Sequence, residues 1–186
     1  MLTLRQFAWA MTGVGHLLRF RRDAFVFFEA TPAGFWRSFW AALLVLPVWI
    51  LVLVDQAAAL NHPSPVGFFL AQMIGYAISW LAYPLLMVRI GDFLDRWPRY
   101  YSYMVAYNWF QVLQSIAWLP LVFLVDAKAP AGLVAIVWLS THGVLMTYSW
   151  FIAKRGLMID GIAAGAIVAI DLLLSLVIDR IAEMVG

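Results

Sequence analysis

The chain has 186 residues, 65% of them apolar or aromatic and 12% charged, with a formal net charge of +2. A soluble domain is roughly 45–50% apolar and about a quarter charged, so this chain lacks the charge to cover a water-facing surface, and it is too apolar to be disordered. No Cys and three widely separated His exclude a disulfide scaffold, a thiolate metal site and a Cys nucleophile, and leave little for zinc; an integral membrane protein remains.

Residues 1–35 are too polar to span a bilayer. Leu4, Phe7, Ala8, Met11, Val14 and Leu18 recur at helical spacing, with Arg5, Thr12, His16 and Arg19 roughly opposite. This pattern predicts an amphipathic helix lying in the cytoplasmic interface. Arg19, Arg21 and Arg22 are its candidate contacts to anionic lipid headgroups, worth about 1 kcal/mol per charge. The segment lacks the apolar core and small-residue cleavage site of a signal peptide.

Residues 36–186 form an all-α transmembrane domain of five helices. A span needs about 20 apolar residues, and five stretches qualify: about Trp36 to Ala59, Val66 to Val88, Tyr101 to Val125, Ala131 to Ile152 and Gly161 to Ala182. The gaps carry breakers, such as Asn61-His62-Pro63-Ser64-Pro65 and Asp126, Lys128 and Pro130. Such short turns predict that sequence neighbours pack antiparallel. Pro47, Pro84 and Pro120 fall inside or near the ends of spans, where membrane helices tolerate a kink.

The basic residues orient the bundle. Arg5, Arg19, Arg21, Arg22 and Arg37, then Arg89, Arg96 and Arg99, then Lys154 and Arg155 place ten charges on one side; Lys128 and Arg180 place two on the other. By the positive-inside rule the N-terminus is cytoplasmic and the C-terminus periplasmic, and the small net charge needs no nucleic-acid partner. Phe25, Phe27, Phe28, Phe35, Trp36, Phe39 and Trp40 before the first span, and Trp97, Tyr100, Tyr101 and Tyr103 before the third, read as interfacial aromatic belts.

Polar groups within hydrocarbon are the main functional pointers. Asp171 stands in AIVAIDLLLSLVI with no Lys or Arg at matching depth. A central Asp costs about 2.5–3.5 kcal/mol to insert, so it should face the bundle interior and find a partner. The expected partners are Ser175, one turn on, and His142 in the fourth span. Asn108, Gln111 and Ser115 line one face of the third span beside Gln114, and the fourth offers Ser140, Thr141, Thr147 and Tyr148. These residues predict a polar cleft between the third, fourth and fifth spans, with interhelical hydrogen bonding as its plain alternative. Gly161 and Gly165 read as a close-packing pair.

Membrane-enzyme signatures are missing. There is no Gly-x-Ser-Gly and no His-Glu-x-x-His. Gly91-Asp92 stands at a membrane edge without the intramembrane Gly-x-Gly-Asp context. Asp160-Gly161-Ile162-Ala163-Ala164 begins a phosphatidyltransferase pattern, but Gly165 replaces its Arg and Asp171 and Asp179 fall at other offsets. No phosphate loop, no two equal inverted halves and no pair of His for haem are present. No catalytic residue, metal or cofactor is expected.

Gly34-Phe35-Trp36-Arg37-Ser38-Phe39 before the first span, Pro47 within it, and Tyr100-Tyr101-Ser102-Tyr103 with Asn108 in the third span resemble the Ypt-interacting protein (Yip) domain, a five-span family with a cytoplasmic N-terminal segment. The resemblance covers most of the chain and implies a non-enzymatic membrane protein, of a bacterial type by its short loops. The family's eukaryotic small-GTPase partner does not carry over, because no loop is long enough to dock one. The leading expectation is an inner-membrane scaffold or accessory subunit, in contact with lipids and with other membrane subunits or copies of itself. The alternative is a small transporter or channel moving protons, cations or a small solute past Asp171.

Overall fold

The computed structural model describes residues 2–60 and 65–185; Asn61, His62, Pro63 and Ser64 of the first predicted turn lie outside the described residues. The described chain is all-helical: α1 Leu4–Leu18, α2 Pro32–Ser38, α3 Trp40–Leu60, α4 Pro65–Phe93, α5 Tyr100–Asp126, α6 Ala131–Gly156 and α7 Gly161–Val185, with short 3-10 turns at Arg22–Phe27 and Trp97–Arg99. Five helical stretches are long and apolar enough to cross a membrane: Pro32–Asp55, Val66–Phe93, Trp97–Asp126, Ala131–Gly156 and Gly161–Ala182.

The helices start and stop for identifiable reasons. Thr3 and Gln6 form a reciprocal capping box on α1, satisfying backbone donors that the first turn cannot pair. Thr31 caps α2, accepting from the Gly34 N–H at 3.0 Å, with Pro32 just behind it. Asp160 caps α7, accepting from the N–H groups of Ile162 and Ala163 at 2.8 and 2.9 Å. Phe20, Asp95, Lys128 and Met158 follow the C-termini of α1, α4, α5 and α6 with φ of 53–54°. After each, the next N–H reaches back to a helical carbonyl: Arg21 to His16, Arg96 to Gly91, Ala129 to Leu124 and Ile159 to Lys154. This is the helix-ending turn normally built on glycine; here side-chain-bearing residues hold the left-handed position at a steric cost.

Packing departs from the expected neighbour-to-neighbour order. α5 packs on α6, and α6 on α7, as the short turns predict; α4, however, packs mainly on α7, and α3 on α5, while α4 touches α3 and α5 only sparsely. Side-chain size explains this. Gly75 of α4 lets α7 approach so closely that an added Cβ would lie 3.1 Å from that of Ala182. Between α3 and α4 the rings of Trp49 and Tyr76 meet at 4.6 Å and hold the helices apart, while the Tyr76 hydroxyl donates to the Ala42 carbonyl at 2.7 Å. A cleft opens along that seam.

The core sits at the end of the bundle where α1 packs. The first half of α5 is its centre, buried from Tyr103 to Phe110. Several residues that read as belt aromatics are interior: Phe28, Phe35, Tyr100 and Tyr103 are buried, and Phe35 packs against Tyr100 and Tyr101 at 5.7 and 6.0 Å. Trp36 and Trp97 stay exposed. α1 buries Ala10, Gly13, Val14 and Leu17. Of the face expected from sequence, Val14 is buried and Phe7 and Met11 half-buried, but Leu4, Ala8 and Leu18 are exposed. The helix is rolled because the 3-10 turn folds back onto it: a Cβ on Gly13 would lie 2.8 Å from Phe28 and 2.9 Å from Phe27.

Candidate functional site

Asp171 lies ten residues into α7, about 15 Å along the helix axis at 1.5 Å per residue. Its half-buried carboxylate accepts from the Tyr107 hydroxyl of α5, which is 2.9 Å from both oxygens. Tyr107 is fixed from two sides: its ring packs on Tyr83 of α4 at 4.6 Å and on Tyr103 one turn earlier at 5.9 Å. The hydroxyls of Tyr83 and Tyr103 in turn share a hydrogen bond of 2.5 Å, and the Tyr100 hydroxyl donates to the Pro84 carbonyl at 3.1 Å. Three helices therefore converge on one carboxylate through a buried phenol cluster. Such a network specifies geometry because each buried polar group is costly to leave unpaired.

The pair faces a cleft of about 190 Å³ between α3, α4, α5 and α7. Val45 and Trp49 of α3 form one wall, and Gln72, Tyr76, Ser79, Trp80 and Tyr83 of α4 the next; Asn108 and Gln111 of α5 and Asp171, Ser175 and Asp179 of α7 complete it. A second cleft of about 580 Å³ shares Val45, Trp49, Gln72, Gln111 and Asp179 with it, and adds Gln114, Ser115, Trp118 and His142. The two form one groove that runs from Asp171 toward the end of the bundle opposite α1, polar around the acid and more apolar farther along, where Val48, Val52, Leu53, Leu121 and Val122 line it. At its inner limit stand the paired hydroxyls of Tyr83 and Tyr103.

The walls of this groove go beyond those the sequence predicts: α3 and α4 line both parts, and α6 reaches only the second, through Trp138 and His142. His142 points at two indoles instead of Asp171, with Trp138 and Trp118 at 3.9 and 4.5 Å, and its Nδ1 lies 3.2 Å from the Trp138 carbonyl one turn back. Ser175 donates to the backbone carbonyl of Asp171 at 3.0 Å, not to its carboxylate; a serine in a helix readily bonds back to the i−4 carbonyl. Ser115 does likewise, to the Val112 carbonyl at 2.8 Å. Asn108 is fully buried and donates to the Ser38 hydroxyl at 2.8 Å, which donates to the Phe35 carbonyl at 2.7 Å. That chain ties α2 to α5, so Asn108 lines the cleft while its amide nitrogen serves the core. Gln111 is half-buried and lines both parts of the groove. On α6, Thr147 bonds its own helix at the Gly143 carbonyl, and Tyr148 donates to the Leu18 carbonyl at 2.9 Å and stacks on Phe20 at 4.6 Å, fastening α1.

The three arginines near α1 are not equivalent. Arg21 makes two hydrogen bonds to Asp23, at 3.0 and 2.6 Å, and His16 lies 3.2 Å from the same carboxylate. The Arg21 hydrogen bonds hold the Asp23 carboxyl below the usual carboxylate range and raise Arg21. Arg19 and Arg22 are exposed. Arg37 pairs with Glu29, and the Lys154 ammonium sits 4.5 Å over the Trp150 ring.

The groove residues that sequence reasoning missed are Tyr107, Tyr83, Gln72 and Tyr76. A signal for three of them was present: Gln72, Tyr76, Ser79 and Tyr83 follow at spacings of four, three and four, a polar stripe on one face of an otherwise apolar helix. Among the described residues no group of His, Asp and Glu is placed to hold a metal ion. Compared with protein families, with curated proteins and with solved structures, the chain finds no match in any of the three.

Proposed function

We propose that the chain is a non-catalytic, multi-pass protein of the bacterial inner membrane that takes a small polar solute into the groove around Asp171 and passes it across the bilayer. The observation that carries this reading is the hydrogen-bonded Tyr107–Asp171 pair at the deep end of a polar groove inside an otherwise apolar bundle. Ionisable groups held within hydrocarbon characteristically mark solute and ion pathways. Reconstitution into vesicles tests it: solute flux that is present in the parent chain and lost in a folded Asp171→Asn variant supports the reading, and equal flux in the two defeats it.

The ten-to-two distribution of basic residues favours an N-terminus in the cytoplasm and a C-terminus in the periplasm, and in that orientation the groove runs from Asp171 toward the periplasmic side. α1 is an interfacial helix in this reading. Arg21 is already neutralised by Asp23, which leaves Arg19 and Arg22 to meet anionic headgroups. A C-terminal reporter active only in the cytoplasm would reverse the orientation.

A second reading, an accessory subunit in a membrane assembly, is favoured by α6. It exposes Ile136, Trp138, Leu139 and Val144 beside the exposed Ser140 and Gly143, the mixture of apolar, hydroxyl and small residues that helices use to associate in lipid. Co-purification of a stoichiometric partner that crosslinks to Ser140→Cys would support it; an isolated monomer would count against it.

A further inference from the structure

We propose that the occupant of the groove is a small organic cation, an ammonium bearing a few carbons, held between the Asp171 carboxylate and the aromatic faces of Trp49 and Trp80. The inference deepens the solute-passing reading above and rests on it.

Charge comes first. The part of the groove around Asp171 is lined by two carboxylates, Asp171 and Asp179, and among the described residues that line it there is no Lys, Arg or His. The Asp171 carboxylate accepts from the Tyr107 phenol, and a positive charge beside it would offset the cost of holding it within hydrocarbon, whereas an anionic solute would add repulsion.

Hydrogen-bonding capacity comes second. The hydroxyls of the wall are already used as donors or paired: Tyr76 to the Ala42 carbonyl, Tyr83 with Tyr103, Tyr107 to Asp171, Ser79 to the Tyr76 carbonyl and Ser175 to the Asp171 carbonyl. Beyond the amides of Gln72 and Gln111, which both donate and accept, what the wall offers is its π faces. The rings of Trp49 and Tyr76, and of Tyr76 and Trp80, meet at 4.6 and 6.2 Å, a continuous aromatic wall of the kind that attracts ammonium groups.

The test uses the purified full chain in phosphatidylethanolamine/phosphatidylglycerol vesicles. The probes are tetramethylammonium, a permanent cation that cannot cross as a neutral base, against glycerol and potassium. Saturable tetramethylammonium uptake that falls about thirtyfold in Asp171→Asn, the order expected when a charge loses its partner, and severalfold in Trp80→Leu, with both variants keeping the parent melting temperature, supports the inference. Protein-dependent uptake of glycerol or potassium without tetramethylammonium overturns the organic-cation assignment and leaves the solute-passing reading standing. No protein-dependent uptake of any probe overturns both. If Asp171→Asn lowers the melting temperature, the Trp80→Leu variant decides: unchanged tetramethylammonium uptake there overturns the inference.

Discussion

The Tyr107 hydroxyl reaches both carboxylate oxygens of Asp171 at 2.9 Å, across the interface of α5 and α7. Among the described residues, this phenol is the hydrogen-bond donor that the carboxylate receives from another helix, and the ring carrying it is wedged against Tyr83 and Tyr103. The pair fixes the depth and direction of the acid relative to the groove. Tyr107→Phe should therefore destabilise the detergent-solubilised protein by about 1 kcal/mol, between the modest values typical of interhelical bonds in membranes and the cost of an unpaired buried group. Combining it with Asp171→Asn should be less than additive, as chemical or thermal unfolding would measure.

Asn108 holds α2 to α5 through Ser38. Asn108→Ala should cost about 1–3 kcal/mol, because the fully buried Ser38 hydroxyl loses its donor. Ser38→Ala in the same background should add little. Unfolding of the two single variants and the double variant checks the coupling.

The glycines make opposite predictions. A Cβ on Gly34 would fall 1.9 Å from the Glu29 carbonyl oxygen, whereas one on Gly165 meets nothing within 4 Å. Gly34→Ala should therefore prevent normal accumulation of folded protein. Gly165→Ala should be neutral or should stabilise α7 by about 0.5–1 kcal/mol from helix propensity. Expression yield and melting temperature distinguish the two.

Asp160 accepts the first free N–H groups of α7, and these backbone bonds hold its carboxyl below the ordinary range. A depressed folded value means that the stabilisation is complete above the unfolded value of about 3.9 and is lost as pH falls through the lower folded value. Asp160→Asn should preserve the cap with a weaker acid dependence, and Asp160→Ala should lose it at every pH. Melting temperatures between neutral and strongly acidic pH read this directly.

Lys128 carries a side chain in the left-handed position after α5, with φ 53°. Lys128→Gly should relieve the strain and raise stability by up to about 1 kcal/mol.

What was legible in the sequence is what hydropathy encodes. The spans emerge because uninterrupted apolar runs of this length have few other uses, and Asp171 stands out because it interrupts one of them. Lateral packing was not legible. Placing His142 beside Asp171 required knowing which face α6 turns to α7, and the sequence carries depth along a helix but not its rotation against a neighbour. The order of the bundle was hidden for the same reason: the Gly75–Ala182 approach that draws α4 to α7 joins residues more than a hundred positions apart. Tyr107 escaped notice because tyrosines near a helix start read as interfacial, when Tyr100, Tyr103 and Tyr107 instead build the interior support of the acid. Phe35 packs on Tyr100 and Tyr101, and Ser38 accepts from Asn108; these contacts are structural.

The central claim is that water and solute reach Asp171 along the groove from the C-terminal end of α7. Because the chain has no Cys, single cysteines can be introduced without background. In sealed vesicles of known orientation, a membrane-impermeant cationic methanethiosulfonate should label Gln111→Cys and Gln72→Cys from the side bearing the C-terminus, and should leave the outward-facing Leu173→Cys unmodified. Labelling of Gln111→Cys no faster than Leu173→Cys would mean that the groove is closed to solvent and would contradict the account.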